Sequence, residues 1–167
     1  PVSRRAFLKT ASTAAAAISA APLLATNASA AVDLNGRIYK TLKYGMIRVE
    51  GGYMEKFAAA KEAGFAAVEL AAPGIDIAKA KEAIAETGLP IDGNVNTGHW
   101  GVRHTDPDAG VRAKALEALK NGLRETREVG GHTLLLVVGH GKDGTEKEVW
   151  QRSVDNIAKA IPLAAGL

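Results

Sequence analysis

Between residues 42 and 164 the hydrophobic pattern switches repeatedly between two periods. Short apolar runs of strand length give way to stretches with apolar residues three and four apart, and the switch occurs four times. The first strand is predicted over about Leu42 to Arg48, followed by Gly51-Gly52 and a helix over about Tyr53 to Ala63. Met54, Phe57 and Ala58 share that helix's apolar face, and Gly64 supplies its stop. The second strand is Phe65 to Leu70. The second helix is Asp76 to Thr87, with Ile77, Ala80 and Ile84 facing inward and Gly88 at its end. The third strand spans about Pro90 to Val95. After a polar loop, Asp106-Pro107 reads as an N-cap and first helical position. Ala115, Leu116, Leu119 and Leu123 form that helix's buried stripe, which stops near Gly130-Gly131. The fourth strand, Thr133 to Val138, is a continuous apolar run, as expected of a parallel strand buried on both faces. Thr145 and Glu148 have capping-box spacing, and Trp150, Val154, Ile157 and Ile161 lie on one face of the last helix, with Trp150 expected in the core.

Four βα units imply an α/β fold: a parallel sheet with helices packed outside and right-handed crossovers. An open doubly wound sheet and part of a (β/α)8 barrel both satisfy this. A closed barrel takes about 250 residues, so on the second alternative the (βα)4 pattern of residues 42–167 makes the first half of a TIM barrel, preceded by a flexible lead-in over 31–41. The helical pattern is still running at Ala164 to Leu167, as expected of a truncated or fragmentary product. Half a barrel leaves its first and fourth strands as edges, and unpaired apolar edges promote self-association.

Charge changes this picture little. The chain has 21 basic and 18 acidic residues, and Arg4, Arg5 and Lys9, with no acid among residues 1–30, account for the whole excess. The rest is neutral, which argues against nucleic acid as a partner. There is no cysteine, so disulfides, a thiol nucleophile and thiolate metal sites are excluded. Ser3-Arg4-Arg5-Ala6-Phe7-Leu8-Lys9 resembles the twin-arginine export motif, with a mild apolar stretch to Thr26 and an Ala28-Ser29-Ala30 cleavage signal. Thr, Ser and Pro22 interrupt the stretch, so it does not read as a stable membrane anchor. The resemblance implies a signal peptide over residues 1–30, the twin-arginine export machinery as a partner, and a periplasmic or extracellular destination.

The segments Lys43-Tyr44-Gly45-Met46, Ala63 to Leu70 (AGFAAVEL), Gly88-Leu89-Pro90-Ile91 and Gly131 to His140 (GHTLLLVVGH), in that order, resemble the sugar phosphate isomerase/epimerase superfamily with its xylose-isomerase-like TIM barrel. The resemblance implies a small sugar or hydroxy-ketone substrate and a divalent metal (Mn, Mg, Zn or Co). It places most metal ligands and the acid/base carboxylates on strands five to eight, beyond Leu167, so the catalytic residues are unassigned and activity as an isomerase depends on a completed barrel.

Within the chain, candidates follow from the rule that βα-barrel sites lie at the C-terminal ends of strands. His99 and His140, just past strands three and four, are expected on one rim as metal or substrate contacts, or else as polar caps of the barrel. Glu69, at the end of strand two, reads as a substrate hydroxyl acceptor or orienting carboxylate, or as a structural partner of a Lys or Arg. Trp100 offers a face for a sugar ring, and Arg103 a fork for a carboxylate or phosphate, or ordinary loop packing. His104 is a weaker candidate for the rim, and His132 reads as structural. The Gly139 to Gly144 loop lacks P-loop spacing, no GxGxxG follows a strand, and no Ser-His-Asp set is assignable.

Three functions stay open: an exported sugar isomerase or epimerase, a metal-dependent phosphodiesterase or nuclease of the same fold, and a non-catalytic sugar-binding protein. The export reading is directly testable. Changing Arg4 and Arg5 together to lysine is expected to hold the precursor in the cytoplasm, as read by fractionation and immunoblotting. Export at the parental level would contradict it.

Overall fold

The computed structural model describes residues 36–167. The signal segment and residues 31–35 of the lead-in therefore lie outside the described residues. The elements are β1 (Thr41–Lys43), α1 (Tyr53–Glu62), β2 (Ala67–Ala72), α2 (Ile77–Thr87), β3 (Ile91–Asn96), α3 (Ala109–Glu128), β4 (Leu134–Leu135) and α4 (Glu146–Ile157). A 3-10 turn, Ala158–Ala160, and a short helix α5 (Ile161–Gly166) continue α4. The four strands are parallel in the order β1-β2-β3-β4. This is the α/β half-barrel order that the family resemblance implies, and it excludes the doubly wound arrangement. No helix among the described residues is long and apolar enough to cross a membrane.

Helix starts and stops follow local chemistry. Asp76 Oδ1 accepts from Lys79 N (3.2 Å) and caps α2, which ends at Gly88 in the left-handed conformation. At α4, Glu148 Oε2 accepts from Thr145 N (2.8 Å) and Thr145 Oγ1 accepts from Glu148 N (3.4 Å), the reciprocal box its sequence predicts. The cap of α3 differs from expectation. Asp108, not Asp106, accepts from Gly110 N (2.6 Å) and Val111 N (3.0 Å), so Pro107 lies ahead of the helix.

The main core lies between β1–β3 and helices α1 and α2. Phe57, Val68, Leu70, Ala72 and Ile91 are buried there against Ala60, Ala80 and Ala83. Alanine at the contact lets these helices lie close to the sheet, so a chain poor in aromatics still packs densely. In α1 it is Ala60 rather than Ala58 that joins Phe57 inside. A second cluster gathers Leu116, Leu119 and Ala160 with Leu134, Leu136 and Ile157.

The two edge strands depart from expectation. β1 covers three residues and turns at Tyr44–Met46 into a 3-10 turn. β4 covers two, and Leu135 and Val138 are exposed instead of buried on both faces. The α4 stripe also differs: Ile157 packs inward, but Trp150, expected in the core, is 71% exposed. Among the described residues no strand pairs with the outer side of β1 or of β4.

Between β2 and β3 the register shifts. Val68 pairs with Ile91, but Leu70 pairs with Asn94, so β3 carries one extra residue, a bulge. Buried Asn94 repairs the ladder there: its Oδ1 accepts from Leu70 N (2.9 Å) and its Nδ2 donates to Thr126 Oγ1 (3.0 Å) on α3. Gly93 in the bulge lies so close to β4 that a Cβ would run into the Thr133 side chain and sit 3.0 Å from its carbonyl oxygen. Asn94→Ala leaves the Leu70 N–H and the Thr126 hydroxyl buried and unpaired, at a cost of about 2 kcal/mol. Urea denaturation is expected to show a lower midpoint for this variant, with Thr126→Val losing less. An unchanged midpoint for Asn94→Ala would show that the bulge does not depend on this amide.

Candidate functional site

Val68, Leu70 and Ala72 face the helices, so by strand alternation Glu69 and Ala71 face the opposite, concave side. Leu42 of β1 likewise packs on the helix side, and its neighbour Lys43 pairs in register with Glu69. Lys43 and Glu69 are therefore side by side on the concave face. Glu69 is the third of six residues in β2, not its last, and so sits below the rim rather than on it.

The rim is built by the loop after β3. Thr97 N donates to Ala72 O (2.8 Å) and Thr97 Oγ1 to Pro73 O (3.1 Å), which ties the loop to the end of β2. Asn96 Oδ1 accepts from Gly98 N (3.2 Å) and tightens the turn into His99, while its buried Nδ2 has no protein partner. His99 is 4% exposed, and its Nδ1 accepts from Val137 N (3.3 Å) just past β4. Trp100 follows, 62% exposed as a residue, with its ring set edge-on to His99 at 5.1 Å and tilted against His140 at 6.2 Å between centroids. The structure thus brings His99, Trp100 and His140 together at the C-terminal rim, as the strand-end rule predicts.

Burial, and then the positive charge of Lys43, hold the His99 pKa below the ordinary histidine value, so the ring is neutral at pH 7. A neutral ring accepting at Nδ1 carries its hydrogen on Nε2. His99 in this arrangement offers a donor to an oxygen, not a lone pair to a metal. Among the described residues no group of three or more His, Asp or Glu side chains is disposed to hold a metal ion. A metal at His99 and His140 would find no third His, Asp or Glu ligand grouped with them among the described residues, and no step is assigned to one.

Arg103 does not project freely from this rim. Its Nε donates to Asp143 Oδ2 (2.8 Å) and its Nη2 to Asp106 Oδ2 (2.8 Å). Asp143, almost fully buried, also accepts from the Thr105 hydroxyl and from His140 N (3.2 Å). Arg103 therefore acts as loop packing, the second of its two readings: it clamps the loop after β3 to the loop after β4 and sets where His140 lies. Gly139 allows this approach, since a Cβ there would collide with Thr105. His104 leaves the rim altogether. It is buried, its Nδ1 accepts from Asn156 Nδ2 (2.8 Å) on α4, and burial lowers its pKa. His132 is exposed, just before β4 at the opposite end of the sheet.

Sequence reasoning missed two participants. Lys43 ends β1, where the same strand-end rule that picked His99 would have found it. Asp143 lies in a glycine-rich turn, and its role depends on Arg103, forty residues earlier, which no local pattern shows.

A parallel βα sheet with its polar cluster at the strand C-termini defines the class of βα-barrel proteins with a rim site. The chain belongs to the xylose isomerase-like TIM barrel family, whose model matches residues 57–166. Among curated proteins none matches the chain. Solved structures similar to it include 3-keto-D-glucoside 4-epimerase from E. coli in its apo form, with a TM-score of 0.65 and 21% identity over 77% of this chain and 52% of that one. D-allulose 3-epimerase from Methylomonas sp. in complex with D-allulose is similar at a TM-score of 0.63 and 20% identity, over 77% and 48% of the two chains. AP endonuclease, family 2 from Brucella melitensis is similar at a TM-score of 0.64 and 19% identity, over 77% and 52%. The chain spans about half the length of these structures, and at such identities the likeness shows the fold alone, a partial TIM barrel.

The Arg103, Thr105 and His140 N–H donors hold the Asp143 carboxyl far below the usual carboxylate range. A depressed folded-state pKa stabilises the protein fully above the unfolded value of about 3.9 and loses that contribution as pH falls below it. Asp143→Asn is therefore expected to be less stable than the parent at pH 7, by roughly 1–2 kcal/mol. The gap is expected to narrow below about pH 4 as the Asp143 carboxyl of the unfolded parent takes up a proton while the folded one stays ionised. Thermal melts from pH 7 to 2.5 check this, and parallel curves would contradict the clamp.

Proposed function

We propose that the chain supplies the front of a sugar or hydroxy-ketone site in a barrel of the isomerase/epimerase type. The observation that carries this reading is the exposed indole of Trp100, fixed between the two imidazoles of His99 and His140 at the strand C-termini. A flat apolar face flanked by hydrogen-bonding groups matches a sugar ring, which pairs C–H faces with hydroxyl edges. In this role Trp100 stacks on the ring, His99 Nε2–H donates to a hydroxyl or carbonyl oxygen, and His140 borders the far side. Lys43 and Glu69, on the concave face below, bear on the ligand's inner edge. Sugar epimerases among the similar structures, one holding D-allulose, support the substrate class.

Isomerisation moves a proton at the carbon next to a carbonyl and needs a carboxylate that changes protonation state. Asp143 is unsuited, since its donors keep it ionised. The described rim is accordingly assigned binding and orientation, with proton transfer left to carboxylates outside it. A divalent metal, when bound in a complete barrel, would polarise the substrate oxygens. The phosphodiesterase reading has the similar AP endonuclease in its favour and the neutral charge of residues 31–167 against it. On this reading export through the twin-arginine route would deliver the protein to the periplasm or the extracellular space.

Titration of the purified chain with a ketohexose such as D-allulose is expected to change the Trp100 fluorescence. The change is expected to disappear in Trp100→Phe, where Trp150 remains as the sole indole. Trp100→Ala is expected to weaken binding, followed by calorimetry, about fivefold, equivalent to about 1 kcal/mol of stacking. Equal sugar affinity in parent and Trp100→Ala would refute the platform. Salt-dependent binding of an oligonucleotide with no response to sugar would favour the phosphodiesterase.

A further inference from the structure

His104 is a titratable group that the sugar reading leaves unused. It is 1% exposed, on the loop after β3 that also carries His99 and Trp100. Its backbone N donates to Val138 O (2.9 Å), and its Nδ1 meets Asn156 Nδ2 (2.8 Å) of α4. Asn156 is itself buried, and the same nitrogen donates to Arg112 O (2.8 Å) in the first turn of α3. A carbonyl oxygen can only accept, so the Asn156 amide is fixed with its NH2 toward both partners. His104 Nδ1 must then be the acceptor, and the neutral ring with its hydrogen on Nε2 is the form that fits. Residues of the described chain suffice to bury this bridge, which joins one rim loop to two helices.

We propose that the His104–Asn156–Arg112 bridge is an acid-released latch, which holds the loop carrying Trp100 against α3 and α4 until the imidazole takes up a proton. A proton on Nδ1 faces the Asn156 NH2 donor to donor. Turning the amide gives no relief, because its Oδ1 would then face Arg112 O, acceptor to acceptor. Proton uptake therefore parts the ring from α4. The charged side chains of the surrounding elements are engaged elsewhere. Arg103 pairs with Asp106 on the same loop and with Asp143 after β4. Arg112 of α3 donates to Asp106 O (2.7 Å) and Pro107 O (2.9 Å). On α4, Arg152 donates to Asp143 O (2.9 Å), and Asp155 accepts from Gln151 Nε2 (2.8 Å). Burial lowers the pKa of the ring, and none of these groups offsets it. A ring whose closed-state pKa lies below the ordinary value of about 6.5 takes its proton more readily when the latch is open. The latch is thus most firmly closed above about pH 6.5, and its opening constant rises by up to about tenfold for each pH unit below that. The Thr97 bonds to Ala72 and Pro73 do not involve the ring, so release leaves the sheet paired.

Amide hydrogen exchange of the purified chain, corrected for the intrinsic rate at each pH, reads the latch through the N–H of residue 104. That N–H is expected to be less protected than Val68 N–H, which is bonded to Pro90 O within the sheet, as befits a local opening. Its protection is expected to fall by up to about tenfold per pH unit between about pH 6.5 and 5. His104→Asn keeps an acceptor in place of Nδ1 but cannot titrate, and it is expected to flatten the fall. Nitrogen-15 shifts of the His104 ring in the parent need no variant, and are expected to show the Nε2–H tautomer titrating below the ordinary histidine range. Four results would overturn the proposal. Protection at residue 104 that does not vary with pH would mean that no proton is linked to the loop. The same fall in His104→Asn would mean that another group drives it. Equal protection at residues 104 and 68 would mean that the ring is freed only when the whole fold opens. A ring carrying its hydrogen on Nδ1 would mean that Asn156 does not hold it as described.

Discussion

The constraint on which the rest depends is the extra residue in β3 and the buried amide that accommodates it. Parallel strands specify their faces by register, and a slip of one residue exchanges inside for outside. With the bulge behind it, β3 resumes pairing at Leu70–Asn94, Ala71–Val95 and Ala72–Asn96. That register delivers Thr97 to the carbonyls of Ala72 and Pro73, and so fixes where the turn into His99 begins. Asn94 holds it because one side chain replaces a missing ladder acceptor and also reaches α3 through Thr126. A backbone irregularity of this kind, left unpaired in the interior, would cost more than a typical hydrogen bond contributes.

The second level of order is built on the first. The β4 side of the rim has little sheet to hold it, since β4 pairs with β3 at only two positions, Asn94–Leu134 and Val95–Leu135. Its position comes from side chains. Asp143 collects Arg103, the Thr105 hydroxyl and His140 N, while Arg152 of α4 donates to Asp143 O (2.9 Å). Val137 N returns a bond to His99. The loop on the unpaired side of the sheet is thus referenced to the loop on its paired side, and the imidazoles of both meet at Trp100.

Much of this was legible in the sequence, for local reasons. The alternation of periods gave four parallel units, the barrel resemblance gave their sequential order, Gly88 and the Thr145–Glu148 box marked helix ends, and the strand-end rule put His99 and His140 on one rim. What escaped was non-local. Helical spacing shows that Trp150, Val154 and Ile157 share a face, but not whether anything covers it. An apolar run such as Thr133 to Val138 looks the same in the middle of a sheet and at its edge. Asp106 and Asp108 are equally good caps by composition, and only the pull of Arg103 on Asp106 separates them. His104 differs from His99 by its burial against Asn156, which lies on a helix fifty-two residues later. The bulge left no local mark, because Asp92-Gly93-Asn94 resembles an ordinary turn-forming triplet.

The Asn94 bridge also bears on how such a sequence can drift. Aspartate at 94 would accept from Leu70 but lose the donor to Thr126, glutamine would overshoot, and any apolar residue would strand both partners. Thr126 is bound in turn by what it receives, and Gly93 by the nearness of Thr133. Positions 93, 94, 126 and 133, from three separate elements, therefore form one epistatic block. Substitutions that are neutral elsewhere on the sheet are admissible here only in combination, so lineages carrying this bulge should retain or lose it as a unit.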